Sequence, residues 1–256
     1  MANFSYGIIY GDFGIEKTES ATAEHALGTK LILPDARTFY YAQNSSAAIS
    51  TGGMIVDGKA AIAAHDMDVP PTATQAVGTT QVSLEVPTTD LTANQYKDGY
   101  LIFNDAAGEG EVYRIVSHPA HDASDDATVL ITIEDSGLRT AITTSTEAQL
   151  IANPYTDVKI IDGDGTMTTG PLGVTTIPVT ASYYCWIQTS GIASVAIGAQ
   201  VGIVGDGLSV SQESGESGQA ERADYSDESD LRIIGTAIAI PSVSGDKQAA
   251  LLDIRS

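Results

Sequence analysis

Short runs of alternating apolar and polar residues, separated by Gly, Pro, Asn and Asp, recur along most of the chain and predict strands. The clearest is TTQVSLEVP, where Val82, Leu84 and Val86 share one face against Ser83 and Glu85. ATVLITIED repeats the pattern with Val129, Ile131 and Ile133. Residues 100–104 and 112–117, on either side of an acidic glycine loop, predict a hairpin. KLILPDARTFYYAQN predicts strands over 30–33 and 37–43 around a type I turn at Pro34-Asp35, which the small Ala36 completes. Residues 47–56 break at Gly52-Gly53, and 60–65 is an apolar run compatible with either a strand or a short helix. YYCWIQTSG predicts a strand ending at Gly191. RIIGTAIAIP and KQAALLDIRS predict the last two strands, joined by a turn at 243–246.

These elements add up to an all-β chain of small barrel or sandwich modules. Residues 1–27 differ from the rest and predict an extended N-terminal arm that docks on something else, with a helical turn possible at 18–26. Pro-rich Val69-Pro70-Pro71-Thr72 and Asn153-Pro154-Tyr155 read as boundaries. They suggest a base domain built from residues 28–77 and 154–256, with an inserted small barrel or sandwich domain at 78–153.

Charge narrows the partners. With 33 Asp+Glu against 12 Lys+Arg, the net charge is −21. Such a surface repels phosphate backbones and anionic membranes, so neither nucleic acid nor a membrane is expected as a partner. No window approaches the length of an apolar span, and MANFSYGIIYGDFGIEK lacks the basic start and apolar run of a secretory signal. The chain reads as a soluble protein made in a cytosol. Its single cysteine makes no internal disulfide.

No constellation points to catalysis, a cofactor or a metal. In His118-Pro-Ala-His121-Asp122, Pro119 and the loop setting argue for a polar loop end over a metal pair. IDGDGT lacks the third acid and the flanking helices of a calcium loop, so a glycine turn is expected. No Gly-x-Ser-x-Gly elbow or phosphate-cradling glycine motif is present. The acids Glu221, Asp224, Asp227, Glu228 and Asp230 predict a solvated face. Cys185 has no Lys, Arg or His within ten residues to activate it, so it is expected to pack in a strand. In that strand Tyr183, Cys185, Ile187 and Thr189 face one way, and Tyr184, Trp186, Gln188 and Ser190 the other. Large side chains on both faces predict cover on both sides, with Tyr184 and Trp186 at an inter-domain or trimer contact.

Several stretches together carry a resemblance: LGTKLILPDARTFYYAQNSSAAISTGGMI (27–55), QYKDGYLIFNDAAGEGEVYRIVSH (95–118), NPYTDVKI (153–160), YYCWIQTSG (183–191) and RIIGTAIA near the C-terminus. Their order resembles the capsid decoration, or cement, proteins of tailed bacteriophages. One departure is Ala36, where a glycine would be usual in the turn. The resemblance implies a structural protein on the exterior of an icosahedral head, often a homotrimer, that reinforces seams between major capsid protein subunits. In that role Phe4, Tyr6, Tyr10 and Phe13 are the expected capsid anchors, unless they pack on the arm's own domain. A host-surface or carbohydrate-binding module on a virion exterior is the alternative reading, and an enzyme a distant third.

Overall fold

In the computed structural model, residues 7–86, 88–124, 128–134, 137–163, 167–198, 203–223, 232–239 and 243–254 are described. The first strands in chain order are β1 (Ile8–Tyr10), β2 (Glu19–Ser20), β3 (Lys30–Ile32), β4 (Thr38–Gln43) and β5 (Ile55–Asp57). Five follow in the middle of the chain: β6 (Gln81–Glu85), β7 (Tyr100–Asp105), β8 (Val112–Ser117), β9 (Thr128–Ile133) and β10 (Glu147–Ile151). The last are β11 (Lys159–Ile160), β12 (Gly173–Thr175), β13 (Tyr184–Ala196), β14 (Gly207–Val210), β15 (Ala220–Arg222), β16 (Ile233–Ala237) and β17 (Lys247–Asp253). A single 3-10 turn, Ile15–Lys17, is the one helical element among the described residues. The protein is all-β.

The chain divides into two units, one made of Met1–Lys59 with Pro154–Ser256, the other of Ala60–Asn153. The second unit therefore begins well before residue 78. Residues 69–75 belong to it because Val69 bridges Ala148, Pro71 bridges Leu84 and Gln75 bridges Ile142. The Gln75 side chain completes this join like a short strand, accepting from Ser83 N–H and donating to Ser83 O, both at 3.0 Å. The segment 60–65 is neither strand nor helix. It folds as one tight turn in which the His65 and Asp66 amides donate to Ile62 O.

In the first unit a sheet runs β1-β3-β4-β13-β17-β16-β14-β15, with β2 and β12 also on β13, and β5 between β11 and β12. Only the β1–β3 pair is parallel. The centre is β13. Its first half pairs β4, with Trp186 opposite Tyr41, and its second half pairs β17, with Ile192 opposite Leu251. Gly191 does not end the strand as its sequence suggests. It takes φ 88 beside a register shift between Gln188 and Ser190, and the strand continues through this bulge. Arg37 explains the glycine, since a Cβ there would meet Arg37 Cγ at 2.9 Å. Both faces of β13 are covered. Cys185 and Ile187 join Ala42, Ile49, Val56, Val158 and Val179, while Trp186 joins Leu31, Leu33, Phe39 and Tyr41 on the other side.

The turn between β3 and β4 closes with the left-handed Ala36. Ala36 N–H donates to Leu33 O at 2.9 Å, Leu33 N–H donates to Arg37 O at 3.0 Å, and Ala36 has φ 65. A left-handed alanine costs about 1–2 kcal/mol, and glycine would recover part of this while adding about 0.4–1 kcal/mol of unfolded-state entropy. Ala36→Gly is expected to raise stability by about 0.5 kcal/mol, seen as a rise of about 1–2 °C in Tm by circular dichroism. A fall in Tm would count against the strain.

The second unit is one five-stranded sheet, β10-β7-β8-β9-β6, antiparallel throughout. Its inward positions are those the alternation marks: Val82, Leu84, Val86, Val129, Ile131 and Ile133 are all buried, together with Leu101, Phe103, Ile115 and Leu150. The ladders do not close into a barrel. The edge strands β10 and β6 are instead both bridged by the 69–71 segment.

Candidate functional site

The N-terminal segment is not a free arm from Gly7 onward. It is an edge of the first unit, tied down at several points. Lys30 N–H donates to Gly7 O and Gly11 N–H to Ile32 O, holding β1 against β3. Glu16, buried in the 3-10 turn, accepts from Gly14 N–H at 2.6 Å and lies 3.5 Å from the Arg37 guanidinium. Thr176 donates its hydroxyl to Glu16 O, and Glu19 accepts from Thr180 N–H and its hydroxyl. The reason is the parallel β1–β3 pairing, which packs the half-buried Ile9 against the Leu31, Phe39 and Trp186 cluster.

Pinning the segment in this way leaves its other apolar side chains outward. Ile8 is 56% exposed, Tyr10 78% and Phe13 62%, with Ile15 also exposed. These four form a run of large apolar side chains on an anchored edge, with no partner of their own among the described residues' core clusters. Of the expected anchors, Tyr10 and Phe13 thus present their rings to solvent. Phe4 and Tyr6 lie outside the described residues.

Trp186 is packed inside the first unit. Trp186 is only 3% exposed, with Tyr41 at 4.9 Å edge-on and the His25 ring at 5.3 Å. Tyr184 is half-buried and stacks on Tyr41 at 5.8 Å. Trp186 has almost no surface left for an inter-domain or trimer contact. The cover it needs comes from β3, β4 and the 24–27 segment of its own unit, where the Glu24 amide donates to Tyr41 Oη.

Burial, followed by the negative charge of Glu19, pushes the Cys185 thiol up to about 12, so it stays protonated and inert. Glu221 is buried, not solvated, because it accepts from Gln212 N–H and the Ser211 hydroxyl. Asp224, Asp227, Glu228 and Asp230, and residues 164–166 of IDGDGT, lie outside the described residues. Among the described residues no group of three His, Cys, Asp or Glu could hold a metal ion, and no helix is long and apolar enough to cross a membrane. His118 and His121 are not at a solvated loop end. Both are buried, and His65 with them.

Two polar features had no local signal in the sequence. Asp57, fully buried at the end of β5, gathers the Gly58 amide and the amides and hydroxyls of Thr168 and Thr169. His65 bonds Tyr96 from more than thirty residues away. Both are long-range contacts that neither alternation nor spacing encodes.

No protein-family model, curated protein or solved structure matches the chain. What fold and surface define is a class: an all-β protein of two units that offers an anchored apolar edge.

Proposed function

We propose that this is a structural virion protein. It binds the outer surface of an icosahedral phage head and cements major capsid protein subunits, with the β1 edge as its contact. The observation that carries the reading is the run Ile8, Tyr10, Phe13 and Ile15, exposed on a segment that its own backbone bonds hold in place. Aromatic side chains fixed in this way offer area at little entropic cost on binding. The high negative charge keeps free copies apart, so association has to come through such apolar places. A second one lies across β13 and β17 and just past β16, where the exposed Ile192 pairs Leu251 and Ile238 is also exposed. It would serve self-association into a trimer. Binding the assembled lattice and not free subunits stabilises the shell by mass action.

The test is titration of undecorated heads with purified protein, reading bound copies by sedimentation and shell melting by calorimetry. Saturable binding that raises the melting temperature is expected. The Tyr10→Ala and Phe13→Ala double variant is expected to fold normally, since both rings are exposed, and to bind about 30- to 1000-fold more weakly, or about 2–4 kcal/mol. No saturable binding by the wild type removes the reading. Wild-type affinity in the double variant moves the contact off the β1 edge.

A further inference from the structure

For two of the three buried histidines, His65 and His118, both ring nitrogens have partners that indicate which one carries the proton. The Tyr96 amide points at His118 Nε2 at 3.0 Å; an amide only donates, so this nitrogen carries a lone pair. His118 Nδ1 lies 2.8 Å from the Pro119 carbonyl, which only accepts, so Nδ1 carries the proton. His121 Nε2 donates to the Val86 carbonyl at 2.8 Å. His65 Nε2 faces the Thr89 carbonyl at 3.4 Å, which leaves Nδ1 to accept from the Tyr96 hydroxyl at 2.7 Å. At His65 and His118 the contacts suit a neutral imidazole. A proton added at His118 Nε2 would set two N–H donors against each other. One added at His65 Nδ1 would take away the acceptor of a buried hydroxyl.

Main-chain bonds of the same three residues tie separate parts of the second unit together. His118 exchanges two bonds with Asn94, its amide donating to Oδ1 and its carbonyl accepting from Asn94 N–H. His121 and Leu91 exchange both backbone bonds. The Leu150 amide of β10 donates to His65 O. Tyr96, part of the unit's core cluster, sits between His65 and His118, with ring centroids 5.7 and 6.0 Å away.

Among the charges around the site, His121 opposes a proton on His65 and Asp66 favours one. Asp66, on the turn that carries His65, is felt at His65 and at Tyr96, and Asp122 interacts with His121. Asp90 caps the Ala123 amide at an exposed position. Lys97 and Asp98 follow Tyr96, and on β8 Arg114 is engaged by Asp98 and Glu134. At the start of β10, Glu147 interacts with Asp68 and Asp105. At His118 the charged neighbour felt is His65, which opposes a second proton.

We propose that the second unit is an acid-labile module: neutral His65 and His118 lock it around Tyr96, protonation releases it, and the first unit, whose single histidine is the half-buried His25, stays folded. The direction of the pH dependence follows from burial, which holds His65 and His118 below the ordinary 6.5 in the folded protein. The unfolded chain therefore takes up protons first. The stabilisation is complete above about pH 6.5 and is lost as pH falls from there through the folded-state values. Each proton taken up on unfolding is worth up to tenfold per pH unit in the unfolding constant, and two are worth up to about a hundredfold.

Hydrogen exchange of the full chain, read segment by segment between pH 7.5 and 5 and corrected for intrinsic rates, tests the proposal. Protection in β6 to β10 is expected to fall at least tenfold between pH 7 and 5.5. Protection in β4, β13 and β17, and the emission of Trp186, the only tryptophan, are expected to persist. Long-range proton–nitrogen spectra at pH 7.5 are expected to show His118 protonated at Nδ1. Unchanged protection in the second unit, loss in both units together, or an Nε2-protonated His118 would each overturn the proposal.

Discussion

Trp186→Ala is expected to destabilise the first unit by about 3–5 kcal/mol, which weakens its folding constant roughly a thousandfold. The side chain is buried among Leu31, Leu33, Phe39 and Tyr41, with Tyr41 edge-on at 4.9 Å. Truncation opens a cavity that these residues cannot fill, because Phe39 and Tyr41 are held in register on β4. It also removes an aromatic pair worth about 0.5–1.5 kcal/mol. The 24–27 segment loses its support as well, since His25 and the Glu24–Tyr41 bond lie over the same rings. Trp186→Phe keeps most of the apolar volume and is expected to cost less than half as much. Urea unfolding followed by far-ultraviolet circular dichroism measures both, because the alanine variant has no tryptophan to report. A midpoint equal to that of the wild type would mean that Trp186 is not a centre of packing.

This tryptophan also shows where sequence reading succeeds and where it stops. The alternation in YYCWIQTSG places Cys185 and Trp186 on opposite faces, and the structure covers both. What the pattern cannot name is the cover. It comes from β3, β4 and residues 24–27, and the parallel β1–β3 contact that completes it involves three residues per strand, too few for a period to register. The same limit turned an edge strand into a supposed arm. In the second unit the strands Gln81–Glu85 and Thr128–Ile133 were legible because one face of each is buried and the other is wet. The boundary was not, since residues 69–75 join that unit through isolated bridges to Ala148, Leu84 and Ile142. Glycine misled once: Gly191 reads as a stop, yet φ 88 within a bulge lets β13 run on to Ala196. For the candidate contact, Tyr10 and Phe13 could be picked out as aromatics in a sparse segment. Their exposure depends on which neighbour pairs with β1, which is a property of the fold.

Asp57→Ala is expected to cost the first unit about 3–4 kcal/mol, chiefly from the donors it leaves behind. The carboxylate takes the Gly58 amide at 2.7 Å, the Thr169 amide at 2.9 Å and hydroxyl at 2.7 Å, the Thr168 hydroxyl at 2.9 Å, and the Thr168 amide. The Thr168 and Thr169 donors belong to the loop that leads into β12, and β12 lies between β5 and the central β13. Loosening the loop therefore frays the strand that links the two. Burial alone would raise the carboxyl's pKa, but the bonds from Thr168 and Thr169 outweigh it and hold the pKa below the ordinary 3.8. The folded state thus prefers the ionised form more strongly than the unfolded chain does. Its stabilising effect is complete above about pH 4 and is lost as the pH falls through the lowered folded-state value. Asp57→Asn keeps one acceptor but turns an amide donor towards the others, and is expected to lose about half as much as the alanine variant. Urea unfolding monitored through Trp186 emission at pH 7 and at pH 3 separates the contributions. Wild type and Asp57→Ala should differ most at pH 7 and converge in acid. A difference that stays constant between the two pH values would show that the carboxylate's charge is not what orders the loop.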